Sequence, residues 1–238
     1  MKLRYAFVLI LIFLSALIYF IPMNSVSSIL QVQYKDIYIE KEEGKWWSGS
    51  LEGVRFSGVS MGDFILKFKP KLLLSGKLGF DLKAKNKHYN FKGVIAYSTS
   101  QNYIIEKAFF KSEIDNIKHP FALTSITIDL PFLSFNKLGC EIADGRLVGS
   151  IVDKYSLLSQ EINIKAIVQC ADKKLLSSFK SFPKENLLSG KLIIDYDLDY
   201  DLEVFSGRIV SKIKKLAKLD FTSKPSIKFS GNILELLD

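Results

Sequence analysis

Along residues 192–204, apolar and acidic side chains alternate with a period of two. The even positions read Leu, Ile, Tyr, Leu, Tyr, Leu, Val, while the odd positions from Lys191 to Glu203 read Lys, Ile, Asp, Asp, Asp, Asp, Glu. Successive side chains of a strand point to opposite faces, so this pattern predicts one long strand, apolar on one side and acidic on the other. The same period recurs at Phe64, Leu66 and Phe68, at Leu78, Phe80, Leu82 and Ala84, at Ile126, Ile128 and Leu130, and at Ile162, Ile164, Ala166, Val168 and Cys170. Such alternation belongs to antiparallel sheet with one covered side. The expected fold is mainly β: a curved antiparallel β-sheet, built as a meander, half-barrel or sandwich, with a few short helices. Helical spacing is weaker. Residues 172–182 and 208–219 predict short amphipathic helices, and residues 102–117 fit either state.

The hexapeptide LLSGKL opens two of these strands, at 73–78 and at 187–192, with a weaker echo at 229–233. Read as a repeat, it divides the chain into two related β-halves, about 32–120 and 121–238. Read as turn chemistry, it says only that Ser-Gly is a favourable way into a strand. Both readings give a meander of hairpins.

The N-terminus breaks the period. Lys2 and Arg4 precede residues 5–21, a run without charge. As a helix it would span roughly 26 Å, close to the hydrocarbon thickness of a bilayer once its flanks are added. This predicts an N-terminal transmembrane helix with a cytoplasmic tip over 1–23, and an exported domain over 24–238. The rival is a cleaved signal peptide with Ser25 and Ser27 as its small-residue site, although the apolar run exceeds the usual signal core. Export suits the two cysteines, because a disulfide persists in an oxidising compartment; the alternative is two buried thiols. A Cys140–Cys170 bridge would contribute about 3–4 kcal/mol in the chain-entropy picture.

The net charge of +8 comes from lysines scattered among apolar residues, without a basic run. That argues for solvated sheet faces or weak attraction to anionic lipid, and against nucleic acid. No catalytic motif stands out, so the expectation is a protein that is not an enzyme. His88 and His119 form no zinc pattern and read as surface residues. The aspartates at 195, 197, 199 and 201 suggest calcium, but Tyr200 occupies the position where an EF-hand loop needs glycine. No metal and no cofactor is expected. Four like charges on one strand face call instead for a lysine-rich neighbour.

Residues 43–58, EGKWWSGSLEGVRFSG, hold both tryptophans among recurring glycines. If this is strand, Trp46 and Trp47 face opposite ways. The phase of Gly49 and Leu51 puts Trp47 inward and leaves Trp46 outward as a partner contact. Gly44, Trp46, Trp47 and Gly49 are the candidate contact motif, the glycines leaving room for a bulge or turn.

Three stretches carry a resemblance to a known family. GKWWSGSL at 44–51 is similar to a G-x-x-W-x-G pattern shortly after an anchor. CEIADGRL at 140–147 and QCADKKL at 169–175 are similar to paired C-x-x-x-x-G-x-L and C-x-x-G-x-L segments, with Lys174 standing where glycine is usual. Together they resemble the type II secretion system protein N family. The resemblance implies an accessory inner-membrane, single-pass subunit of a type II secretion machine in a Gram-negative bacterium. Its C-terminal domain would lie in the periplasm, with other secretion subunits as partners. The competing class is an envelope lipid-binding or lipid-transfer protein with an AsmA-like β-groove, to which long alternating strands are equally suited. A covered apolar face favours assembly, and an open groove favours lipid.

Overall fold

The computed structural model describes residues 5, 9, 13, 16–113, 121–153, 162–182, 188–195, 197–205 and 226–232. Helix α1 (Met23–Gln33) follows the N-terminal segment, in which residues 16–20 are helical, and a single-turn helix α2 (Pro70–Leu73) joins two strands. Among the described residues no helix is long and apolar enough to cross a membrane. The strands are β1 (Ile37–Tyr38), β2 (Lys41–Lys45), β3 (Ser48–Phe56), β4 (Val59–Phe68), β5 (Lys77–Lys85), β6 (Tyr89–Ser98), β7 (Tyr103–Glu113), β8 (Phe121–Asn136), β9 (Gly139–Asp153), β10 (Ile162–Ala171), β11 (Lys174–Phe182), β12 (Ser189–Ile194), β13 (Asp199–Phe205) and β14 (Ser226–Asn232). They form one open antiparallel sheet. From β3 onward each strand pairs with the next in sequence, while β1 and β2 share the other edge of β3. Pairing continues through β7, β8 and β9, so the sheet has no break near residue 120.

Register separates two faces, since residues opposite each other in antiparallel strands share a side. Leu51 pairs with Phe64, Phe64 with Ala84, Ala84 with Phe91 and Phe91 with Phe110. The row continues through Ile128, Leu147, Ala166, Phe179 and Gly190 to Val204. One step along, the other face runs Ser50, Ile65, Lys83, Lys92, Phe109, Asp129, Arg146, Ile167, Ser178 and Lys191 to Glu203. The first row is buried or half-buried, and most of the second is exposed. Helix α1 covers the apolar face only at its start, where Met23 packs with Ile39, Leu51, Phe64 and Leu66. Beyond β4 the described residues supply no second layer. The register shifts in β3, β6–β7 and β8 supply bends of the kind β-bulges make, and such bends curl a sheet toward one side.

Several expectations need correction. Residues 172–182 form no helix: Asp172 and Lys173 both take positive φ and close a two-residue turn into β11, as primed hairpin turns require. The helical look came from serines, because Ser177 and Ser181 occupy buried positions on the apolar face. The ambiguous stretch at 102–117 is strand from Tyr103 to Glu113. Val32 and Gln33 belong to α1, and strand begins at Ile37. The long strand at 192–204 is two strands, β12 and β13, joined by a turn. Asp195 Oδ1 accepts from the backbone N–H of Asp197 and of Asp199 at 3.1 Å each, and Leu198 has φ +65°. The even positions nevertheless keep to one side, because Leu192 pairs with Leu202 and Ile194 with Tyr200. The lysine neighbours expected for the aspartates are not across from them: Asp201 pairs with Ile193 and Ser230 and Asp199 with Asn232, and only Glu203 pairs across to lysines, Lys191 and Lys228. The first LLSGKL copy makes a turn, with Gly76 at φ +68°, whereas in the second Gly190 lies within a strand and is buried. The helix expected over 208–219 lies outside the described residues.

Candidate docking site: the tryptophan turn and the apolar face

Lys45 pairs with Ser48, so Trp46 and Trp47 are the two central residues of the β2–β3 turn, not strand residues. Gly44 makes that turn tight. It has φ +92°, and a Cβ there would meet Ser48 O at 2.6 Å and Gly49 Cα at 2.9 Å. Gly44 and Gly49 face each other across the hairpin, and Gly49 lies under Met23, whose Cγ would be 3.1 Å from an added Cβ. The glycines therefore bring backbones and α1 together; they do not make room beside the indoles.

The two rings do different things. Trp46 packs toward the apolar face, with its ring centroid 5.0 Å from Phe68 and 6.4 Å from Phe80. Trp47 stacks on Tyr19 at 5.1 Å. The expected assignment is reversed: Trp46 is the one that joins the sheet's apolar side.

The last carbonyls of a helix lack internal donors. Here the tryptophans supply them. Trp46 Nε1–H donates to Ile18 O at 2.6 Å, Trp47 Nε1–H donates to Tyr19 O at 3.0 Å, and the Trp46 backbone N–H donates to Ile21 O at 3.3 Å. Pro22, which cannot continue the helix, bridges to Lys45. The Lys45 ammonium sits 4.7 Å from the centroids of both Tyr19 and Phe20, a cation placed where a helix C-terminus and aromatic faces both favour it. On the far side, Phe68 N–H donates to Trp47 O at 2.7 Å. One turn thus fastens the end of the N-terminal segment to the edge of the apolar face.

From there the face extends to β14. The row from Leu51 of β3 to Val204 of β13 carries no charged side chain. At the end of the sheet nearest the tryptophans its rim is open. Leu78, Tyr97 and Tyr103 are exposed there, and the Tyr103 ring stacks on Phe135. Cys140 and Cys170, from β9 and β10, are joined by a disulfide at this same end, with Cα atoms 5.6 Å apart. The polar face is tied by ion pairs such as Lys77–Glu106 at 3.0 Å, which links β5 and β7 across β6. Burial pushes the Tyr89 phenol up from its ordinary range, and its hydroxyl donates to Met61 O.

Sequence reasoning named Gly44, Trp46, Trp47, Gly49, Cys140 and Cys170, and the structure brings each set of neighbours together. It missed Tyr19, Lys45, Phe68 and Phe80, although the last two were already visible as members of alternating strands. His88 is exposed in the β5–β6 turn at the opposite end, and His119 lies outside the described residues. Asp195 organises a turn. Among the described residues no group of His, Cys, Asp and Glu could hold a metal ion.

Comparison with known proteins identifies a family. The family described as type II secretion system (T2SS), protein N, aligns with residues 36–208. No curated protein and no solved structure matches.

Proposed function

The chain belongs to the type II secretion system protein N family, and from that premise we propose that it is an accessory, non-catalytic subunit of the secretion machine, anchored in the inner membrane by residues 5–21. The sheet is the periplasmic part, and it acts by contacting other secretion subunits. The family match over most of the sheet carries this reading. An uncleaved anchor is supported by Met23, which is 3% exposed in the first core cluster: cleavage beyond Ser27 would remove it from the fold. The tryptophan turn supports a fixed geometry, because the sheet is fastened to the end of the apolar segment and not tethered by a loose linker.

A second reading is favoured by one observation. An apolar, curled face with an open rim is also a surface for acyl chains, which need apolar area and no specific partner. In that case the protein carries or senses envelope lipid. Purification of the full chain from membranes in mild detergent tests both. Co-elution of other secretion subunits supports the assembly reading; near-stoichiometric lipid with no protein partner supports the alternative.

A further inference from the structure

The connection between β4 and β5, residues 69–76, reads KPKLLLSG and contains no carboxylate. Its three leucines are treated differently. Leu72 packs onto the polar face of the sheet at Gly79, while Leu73 and Leu74 are 53% and 92% exposed. Of the lysines around it, Lys69 is paired with Asp81 at 2.9 Å and Lys77 with Glu106 at 3.0 Å, so both ends of the loop are pinned to the sheet. Lys71, between them, has no ion pair among the described residues. The outcome is a fixed loop presenting two adjacent leucines beside a lysine.

Its position gives this a meaning. The strand leading into the loop ends at Phe68, whose N–H bonds Trp47 O and whose ring touches Trp46. Those tryptophans cap Ile18 and Tyr19, where the apolar N-terminal segment ends. Tryptophan, tyrosine and lysine gather where a span leaves the hydrocarbon, and leucine beside lysine is what a surface-seated segment offers to lipid. We infer that loop 69–76 seats on an anionic bilayer surface, with Leu73 and Leu74 entering the acyl boundary and Lys71 meeting phosphate. This rests on residues 5–21 being a membrane span.

The test uses the full chain reconstituted in vesicles containing phosphatidylglycerol. Among the described residues the only cysteines are disulfide-bonded, so Leu74→Cys supplies a thiol for a nitroxide, with Phe13→Cys and Ser57→Cys as references in the segment and at the opposite end. Collision with oxygen should exceed collision with a nickel chelate at residues 74 and 13, and the order should reverse at 57. Adding Lys71→Glu should raise chelate access at residue 74 several-fold. A water-exposed 74 with a lipid-exposed 13 overturns the inference and spares the anchor. Water exposure at both sites removes the anchor too. A residue 74 shielded from both reagents would mean a protein partner, a second copy included, and also overturns it.

Discussion

The Trp47 ring lies on the Tyr19 ring at 23°, with centroids 5.1 Å apart, and the indole N–H is bonded to the Tyr19 carbonyl. Residues 28 apart in sequence are thereby joined twice, once by a face and once by a hydrogen bond. This contact is one of several that hold the sheet to the N-terminal segment, beside the Trp46 bond to Ile18 O and the Pro22–Lys45 bridge.

Removing it should loosen the junction and leave the sheet intact. Trp47→Ala removes both links, and Trp47→Phe keeps a ring but no N–H donor. In detergent, chymotryptic cleavage beside Tyr19 and Phe20 should be several-fold faster in Trp47→Ala than in the parent, with Trp47→Phe between them. The stability of the sheet should fall by no more than about 1 kcal/mol.

Trp46 should behave differently, because its ring belongs to the cluster with Phe68 and Phe80. Trp46→Ala leaves a half-buried gap, and half of a full large-to-small penalty is roughly 2 kcal/mol. The expected Tm loss is about 4–8 °C. A Trp46→Ala protein as stable as the parent would show that this ring does not belong to the apolar face.

The disulfide closes a sequence separation of 30 residues across β9 and β10. Its loss through the pair Cys140→Ser and Cys170→Ser should cost about 3–4 kcal/mol and roughly 10 °C in Tm. Reduction of the parent should reproduce the shift, and reduction of the double variant should add nothing.

Asp195 accepts two backbone N–H groups in the turn that splits β12 from β13. Asp195→Ala should destabilise the chain by about 1–2 kcal/mol. Asp201→Asn, at an exposed position on the same hairpin, should change it by less than about 0.5 kcal/mol. Denaturant midpoints of the two variants check the difference.

The alternation of apolar positions disclosed the faces of the sheet, since Phe64, Leu66, Phe80 and Ile128 lie where a period of two puts them. It did not disclose where strands end. A hairpin pairing 194 with 200 keeps even residues on one side, so the turn at Asp195 is invisible to periodicity. Helix α1 escaped because one position of its buried stripe is Ser27, wholly enclosed and 2.8 Å from Glu42 Oε1. The tryptophan turn was hidden because its glycine is Gly44, before the central pair and not within it. Tyr19 and Lys45 could not be paired with the indoles from sequence at all, because that contact depends on where the first hairpin lands relative to the N-terminal segment.

Site-specific photocrosslinking in the native host tests whether the sheet engages other secretion subunits. A photoreactive phenylalanine analogue would replace Tyr97 or Phe229, both exposed and both on the apolar face. Adducts are expected with one or a few other proteins of the secretion machine in cells that are secreting. Adducts with lipid alone, or no adduct at either position, would contradict it.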